Sequence, residues 1–129
     1  MRFIVDTRTF LWAILSPEKL TDRVKSVLAD REAEILVSIA TPWEMAIKAG
    51  MGKLENGAKI LDDFEDRLTS CGYRVIETSI EHAIRSGCLP RYHKDPFDRL
   101  LIAQALELNI PILSCDGVFD LYGVHRIWH

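Results

Sequence analysis

Short apolar runs alternate along this chain with segments of helical period, and that alternation constrains its fold more than any other feature. The runs RFIVD, EILVS, YRVIE and IPILSCD have the length and residue types of strands, and VHRIW is a candidate for a fifth. Between them lie TRTFLWAIL, closed by Ser16 and Pro17, and LTDRVKSVLADRE, with Leu20, Val24, Val27 and Leu28 at helical spacing and Thr21 as N-cap. TPWEMAIKAGMGKL follows as a helix with Thr41 as N-cap, Pro42 at the first helical position and Gly50 or Gly52 at its end. The segment AKILDDFEDRLTSCG reads as one helix with Ile60, Leu61, Phe64 and Leu68 on one face and Gly72 as its stop. SIEHAIRSG is a short helix, LPRYHK a loop, and DPFDRLLIAQALEL a long apolar helix. Parallel strands need crossover helices, which cover both faces of a sheet, so the expected architecture is an α/β/α sandwich with a central, mostly parallel sheet. At 129 residues the chain suits one domain spanning 1–129.

The acids fall at particular points of this pattern. Asp6 directly follows FIV and Asp116 follows ILSC, so both sit where a buried strand emerges at its carboxyl end, the edge where open α/β sheets bind ligands. TPWE and DPFD match in kind: a capping residue, a proline, an aromatic and a carboxylate, then an apolar helix. Glu44 and Asp98 thus read as third helical residues. Helix stabilisation alone would account for Glu44, through a capping box with Thr41. It accounts less well for Asp98, because Leu101, Ile102 and Ala105 share its face and aim it inward. Asp95, before Pro96, is the cap.

Four carboxylates converging within about 5 Å would repel by about 3 kcal/mol per pair at an effective dielectric near 20, so a positive group must compensate or protons must stay on. An all-oxygen set without His or Cys selects magnesium or manganese over zinc. Such ions grip phosphates and activate water, as in many nucleases. The net charge of −3 argues against a nucleic-acid partner, yet if metal neutralises four acids, 19 become 15 against 16 Lys plus Arg, and the balance turns to about +1. Arg8, Lys48, Lys53, Arg91, Lys94 and Arg99 flank the acidic motifs and are candidates to hold a phosphate backbone.

Other classes are disfavoured. The longest uncharged runs, Thr9 to Pro17 and Ile35 to Trp43, are nine residues each, about half of the roughly 20 that span a bilayer. The N-terminal apolar stretch breaks at Asp6 before a signal-peptide core develops, and Cys71, Cys88 and Cys115 show no paired spacing, so a reducing cytoplasm is expected. The four histidines lack the spacing of a zinc site. Trp12, Trp43 and Trp128 are expected in the core rather than at an interface. A haloacid-dehalogenase-type phosphatase needs a second aspartate where this chain has Arg8, and a receiver domain needs acids that VDTR, VSIA and SCDG do not supply.

FIVDTRTFLW, VSIATPWEMAIKAGMGKL, LPRYHKDPFDRLLIAQA and ILSCDGVFDLYG together, in this order, resemble the four acidic motifs of a PIN domain, and specifically of VapC-type ribonuclease toxins. The resemblance spans nearly the whole chain and implies a PIN-like three-layer α/β/α sandwich acting as a metal-dependent endoribonuclease. Carried over position by position, the catalytic metal-binding acids fall on Asp6, Glu44, Asp98 and Asp116, with Mg2+ or Mn2+ as cofactor. Thr7, Arg8, Arg99 and Ser114 fall on positions around the site that contact substrate or support the acids. Many relatives carry histidine at the position of Arg8 and threonine at that of Ser114. The resemblance also implies an RNA substrate, a homodimer and a cognate antitoxin whose tail covers the site. The alternative from another class is a non-catalytic PIN module that binds RNA or a protein partner.

Overall fold

Among the described residues five short strands, all parallel, carry the molecule, with their apolar runs packed between two helical layers. In the computed structural model, which describes residues 1–54 and 56–129, these are β1 (Arg2–Val5), β2 (Glu34–Ser38), β3 (Arg74–Ile76), β4 (Ile112–Leu113) and β5 (Arg126–Ile127). The sheet order is β3-β2-β1-β4-β5. Alternation along the strands sends Phe3, Val5, Ile35, Val37 and Leu113 into one core layer and Ile4, Leu36 and Ile112 into the other. Among the described residues six α-helices cover the sheet: α1 (Thr7–Leu15), α2 (Asp22–Ala29), α3 (Ala40–Gly50), α4 (Phe64–Cys71), α5 (Ile80–Cys88) and α6 (Pro96–Leu108). Phe10, Val24, Met45 and Leu68 of α1 to α4 close the first layer, and Leu101, Ile102 and Ala105 of α6 the second. The result is the expected α/β sandwich, and VHRIW supplies β5 beside β4.

From β1 the chain moves outward to β2 and β3, then returns to place β4 on the other side of β1. The strand order therefore reverses between β1 and β4, where two crossovers part to opposite faces and leave a crevice at the carboxyl ends. Register aligns those ends, since Val5 lies beside both Val37 and Leu113.

Three local expectations need correction. The segment after Gly57 is not one helix: a 3-10 turn at Ala58–Leu61 and α4 are separated by Asp62 in an extended conformation and Asp63 at φ 56°. Adjacent aspartates are weak helix formers, and the break lets Ile60 and Leu68 enter the same core layer from different directions. Helix α3 starts at Ala40, so Thr41 is inside it and not its cap. Ser38 Oγ accepts from Ala40 N at 3.1 Å, and the Thr41 hydroxyl instead meets that of Thr7 at 3.2 Å. Glu44 is then the fifth helical residue and forms no capping box. Finally, Trp43 is 54% exposed with its ring edge-on to Phe97, whereas Trp12 and Trp128 are partly buried against each other.

Candidate active site

Asp6 is the first residue past β1 and also the N-cap of α1, its Oδ1 accepting from Thr9 N at 2.8 Å. A position read as a plain strand end thus does two jobs. Its other oxygen, Oδ2, accepts from Ser114 Oγ at 2.5 Å, and Ser114 Oγ in turn accepts from Asp116 N at 3.0 Å. One fully buried hydroxyl therefore joins the ends of β1 and β4 across the switch point. Asp116 Oδ1 accepts from Val118 N at 3.0 Å and caps the 3-10 turn Gly117–Tyr122. Asp6 is 6% exposed, and burial pushes its carboxyl above the ordinary range against the opposing pull of Ser114 and Thr9.

The other two acids come from helices on the two sides of the crevice. Glu44, 6% exposed on α3, pairs through Oε2 with Lys48 Nζ at 2.6 Å, one turn on. Asp98 stands in the first turn of α6, where Asp95 Oδ1 accepts from both Phe97 N and Asp98 N and so caps the helix. Asp98 Oδ2 lies 2.8 Å from His93 Nε2. Burial, with the nearby charges of Asp95 and Glu44, pushes the Asp98 carboxyl up to about 6 despite the His93 hydrogen bond.

Asp6, Glu44, Asp98 and Asp116 line one cleft of about 260 Å3, together with Thr7, Arg8, Lys48, Lys53 and Asp95. A larger hollow of about 530 Å3 lies beside β3, but its acids Glu34 and Glu77 share it with Arg2 and Arg74, and Glu34 is already paired with Arg74. The chemistry, and not the volume, marks the site. Within the cleft the four acids are brought together without collapsing on one point: among the described residues, the ligand atoms that all lie within 4.8 Å of one another are those of His93, Asp95 and Asp98. Each of the four has its own partner: Ser114 for Asp6, Lys48 for Glu44, His93 for Asp98 and the Val118 amide for Asp116.

One of the flanking positions, Arg99, turns out differently from a phosphate holder. Arg99 is 4% exposed, and its terminal nitrogens donate to the carbonyls of Ser86, Gly87, Leu89, Pro90 and His93. It fastens the loop between α5 and α6. Arg8 is exposed at the cleft mouth, reaching Cys115 Sγ at 3.8 Å and the Trp12 ring at 5.9 Å. Thr7 is buried and ties the start of α1 to α3 through Thr41. The sequence reading missed His93, in a loop, and Tyr122, the last residue of the 3-10 turn, because neither segment carries a long periodic signal. The Glu44–Lys48 pair was readable from its four-residue spacing.

An open parallel sheet with acids gathered at its switch point places them where such α/β domains bind their ligands. The PIN domain family matches residues 3–124, and the chain belongs to that family. No curated protein sequence matches it significantly. Its fold is similar to VapBC2 from Rickettsia felis bound to a promoter DNA fragment, with TM-score 0.72, 15% identity and 100% of each chain covered. It is also similar to DNA-bound VapBC from Salmonella typhimurium, with TM-score 0.71, 16% identity, and 98% of this chain and 97% of that one covered. A toxin-antitoxin complex from Klebsiella pneumoniae aligns at TM-score 0.58 and 16% identity over 89% of this chain and 87% of that one.

Proposed function

We propose that this PIN domain is a metal-dependent endoribonuclease, the toxin of a toxin–antitoxin pair, in which Asp6, Glu44, Asp98 and Asp116 hold Mg2+ or Mn2+. The observation that carries the reading is that acids from four separate elements line one cleft at the switch point, with Arg8, Lys48 and Lys53 around them. The donor set fits a hard divalent cation: it is carboxylate throughout, and Asp6 and Asp98 are both held where ionisation is costly without a positive neighbour. When bound, such an ion supplies Lewis-acid activation of water and charge neutralisation at a phosphodiester. The chain's own groups then do the positioning. Thr9 N and Ser114 Oγ fix both oxygens of Asp6, and Ser114 ties Asp116 to it. Lys48 balances Glu44, while Arg8 and Lys53 offer cations to backbone phosphates at the mouth of the cleft.

A protein partner fits the surface as well. Ile39, Trp43, Ile47 and Met51 recur at four-residue spacing from the N-cap to the C-cap of α3 and are 36%, 54%, 42% and 57% exposed, an apolar stripe of the kind that partners cover. The solved relatives described as complexes support a cognate antitoxin as that partner. The test is cleavage of labelled RNA by the purified chain with Mg2+, with Mn2+ and in EDTA. Cutting with metal, none in EDTA and none by Asp98→Asn is the expected result. Full activity in chelator, on RNA freed of contaminating nuclease, defeats the metal mechanism. RNA binding with no cleavage under any metal makes the chain a non-catalytic binding module.

A further inference from the structure

We propose that His93 is a positioning residue for Asp98: its imidazole holds one carboxylate oxygen so that the other is presented to the cleft. This deepens the reading of Asp98 as a metal ligand and rests on it. The hydrogen bond from His93 Nε2 to Asp98 Oδ2, at 2.8 Å, leaves Oδ1 without a hydrogen-bond partner among the described residues. An ionised carboxylate only accepts, so in the ligating state Nε2 is the donor. The imidazole itself is placed by a dedicated scaffold. His93 N donates to Tyr122 Oη at 3.0 Å, and Tyr122 Oη donates to Pro90 O at 2.7 Å. His93 O accepts from Arg99 Nη1 at 3.0 Å, and the same guanidinium gathers the carbonyls of Pro90, Ser86 and Leu89. Residues from α6 and from the 3-10 turn before Gly123, the buried Arg99 and Tyr122, thereby hold the His93 backbone on both sides of its Cα.

A histidine 2.8 Å from one acid and within 4.8 Å of a second also resembles a ligand set of its own, His93 with Asp95 and Asp98. The His93 geometry decides against that. A ring nitrogen that donates its proton to Asp98 Oδ2 at 2.8 Å has no lone pair left to give an ion. His93 therefore orients a ligand and does not add one. Partners of this kind fix ligand orientation, and their loss typically costs 10–100-fold in metal affinity.

The probe is Mn2+ alone, titrated calorimetrically into the full chain, with thermal unfolding in EDTA as the control for fold. His93→Ala should weaken Mn2+ binding about tenfold while its unfolding temperature in EDTA stays near that of the wild type. His93→Gln, which keeps an N–H donor on a side chain of similar reach, should recover most of the affinity. Tyr122→Phe, which loosens the loop and leaves the imidazole in place, should fall between them. If the wild type binds and His93→Ala binds equally well, the positioning role is wrong and the metal reading stands. Equal loss in His93→Ala and His93→Gln overturns it in favour of direct ligation. A wild type that binds no Mn2+ overturns the metal reading and this role together. Should His93→Ala fail to fold, His93→Gln and Tyr122→Phe decide: full loss in the first, or no loss in the second, refutes the proposal.

Discussion

Asp98 sits one turn from the buried Leu101 and Ile102, with a side chain only 21% exposed, and that position gives its titration a stability consequence. Its carboxyl is raised to about 6 from 3.8 by burial first, with the His93 hydrogen bond opposing and the Asp95 and Glu44 charges adding to the rise. A raised acid contributes stability that is fully present below its unfolded pKa and is lost as pH rises through the folded one. Without metal, the protein should lose stability between about pH 4 and pH 7, by up to roughly 3 kcal/mol from this group. Asp98→Asn should remove most of that slope and unfold at higher temperature than wild type near pH 7. Melting curves in EDTA from pH 4.5 to 8 measure both, and an unchanged slope in the variant would place the titration elsewhere. Asp95→Asn behaves differently, because Asn caps about as well as Asp, so it should keep most of the stability and most of the activity. The distinct settings of Asp95 and Asp98 were legible in DPFD because a proline marks the first helical position. That Asp6 also caps α1 was not, since β1 runs into α1 with no loop between them and one residue serves both as strand end and as acceptor for the Thr9 amide.

Among the elements, most periodic stretches emerged at their expected places, whereas the start of α3 and the break before α4 did not. TPWE and DPFD look alike, yet only the second starts a helix at its proline. The difference lies in what precedes them. DPFD follows a loop, where Asp95 is free to adopt the extended cap conformation. TPWE follows β2 by only two residues, and Ile39 N, bonded to Ile76 O at 3.1 Å, forces the turn earlier. The hydroxyl that serves the first turn of α3 is therefore that of Ser38. Ser38→Ala should cost about 1 kcal/mol, the usual penalty for losing such an acceptor, with no change in the denaturant m-value. Urea unfolding measures it, and an unaltered midpoint would mean that the turn is held by the strand alone. The break at Asp62 and Asp63 was also invisible in the apolar spacing, because Ile60, Leu61, Phe64 and Leu68 satisfy a helical period whether or not the chain bends between them.

At the scale of the whole molecule, strand order is the fact that no local pattern carries. Asp6 and Asp116 were recognisable as strand-end acids, but only the placement of β4 beside β1 makes them neighbours through Ser114. If the four acids form one metal site, their energies must be linked, and stability reports the linkage. Burial raises the Asp6 carboxyl, so by the same sign its ionisation opposes folding as pH rises towards neutrality. Asp6→Asn retains an oxygen to cap Thr9 N and removes one charge from the cleft. In EDTA near pH 7 it should therefore melt above the wild type. Added Mn2+ should reverse the order: a ligand that binds only the folded chain stabilises it by about 2.7 kcal/mol at a hundredfold excess over its Kd, and the variant, lacking one ligand, should gain less. Differential scanning calorimetry across a Mn2+ series gives both arms of the comparison. An Asp6→Asn protein that melts lower in EDTA and still gains as much from Mn2+ as wild type would show that Asp6 does not share a site with Glu44, Asp98 and Asp116, whatever cleft they line.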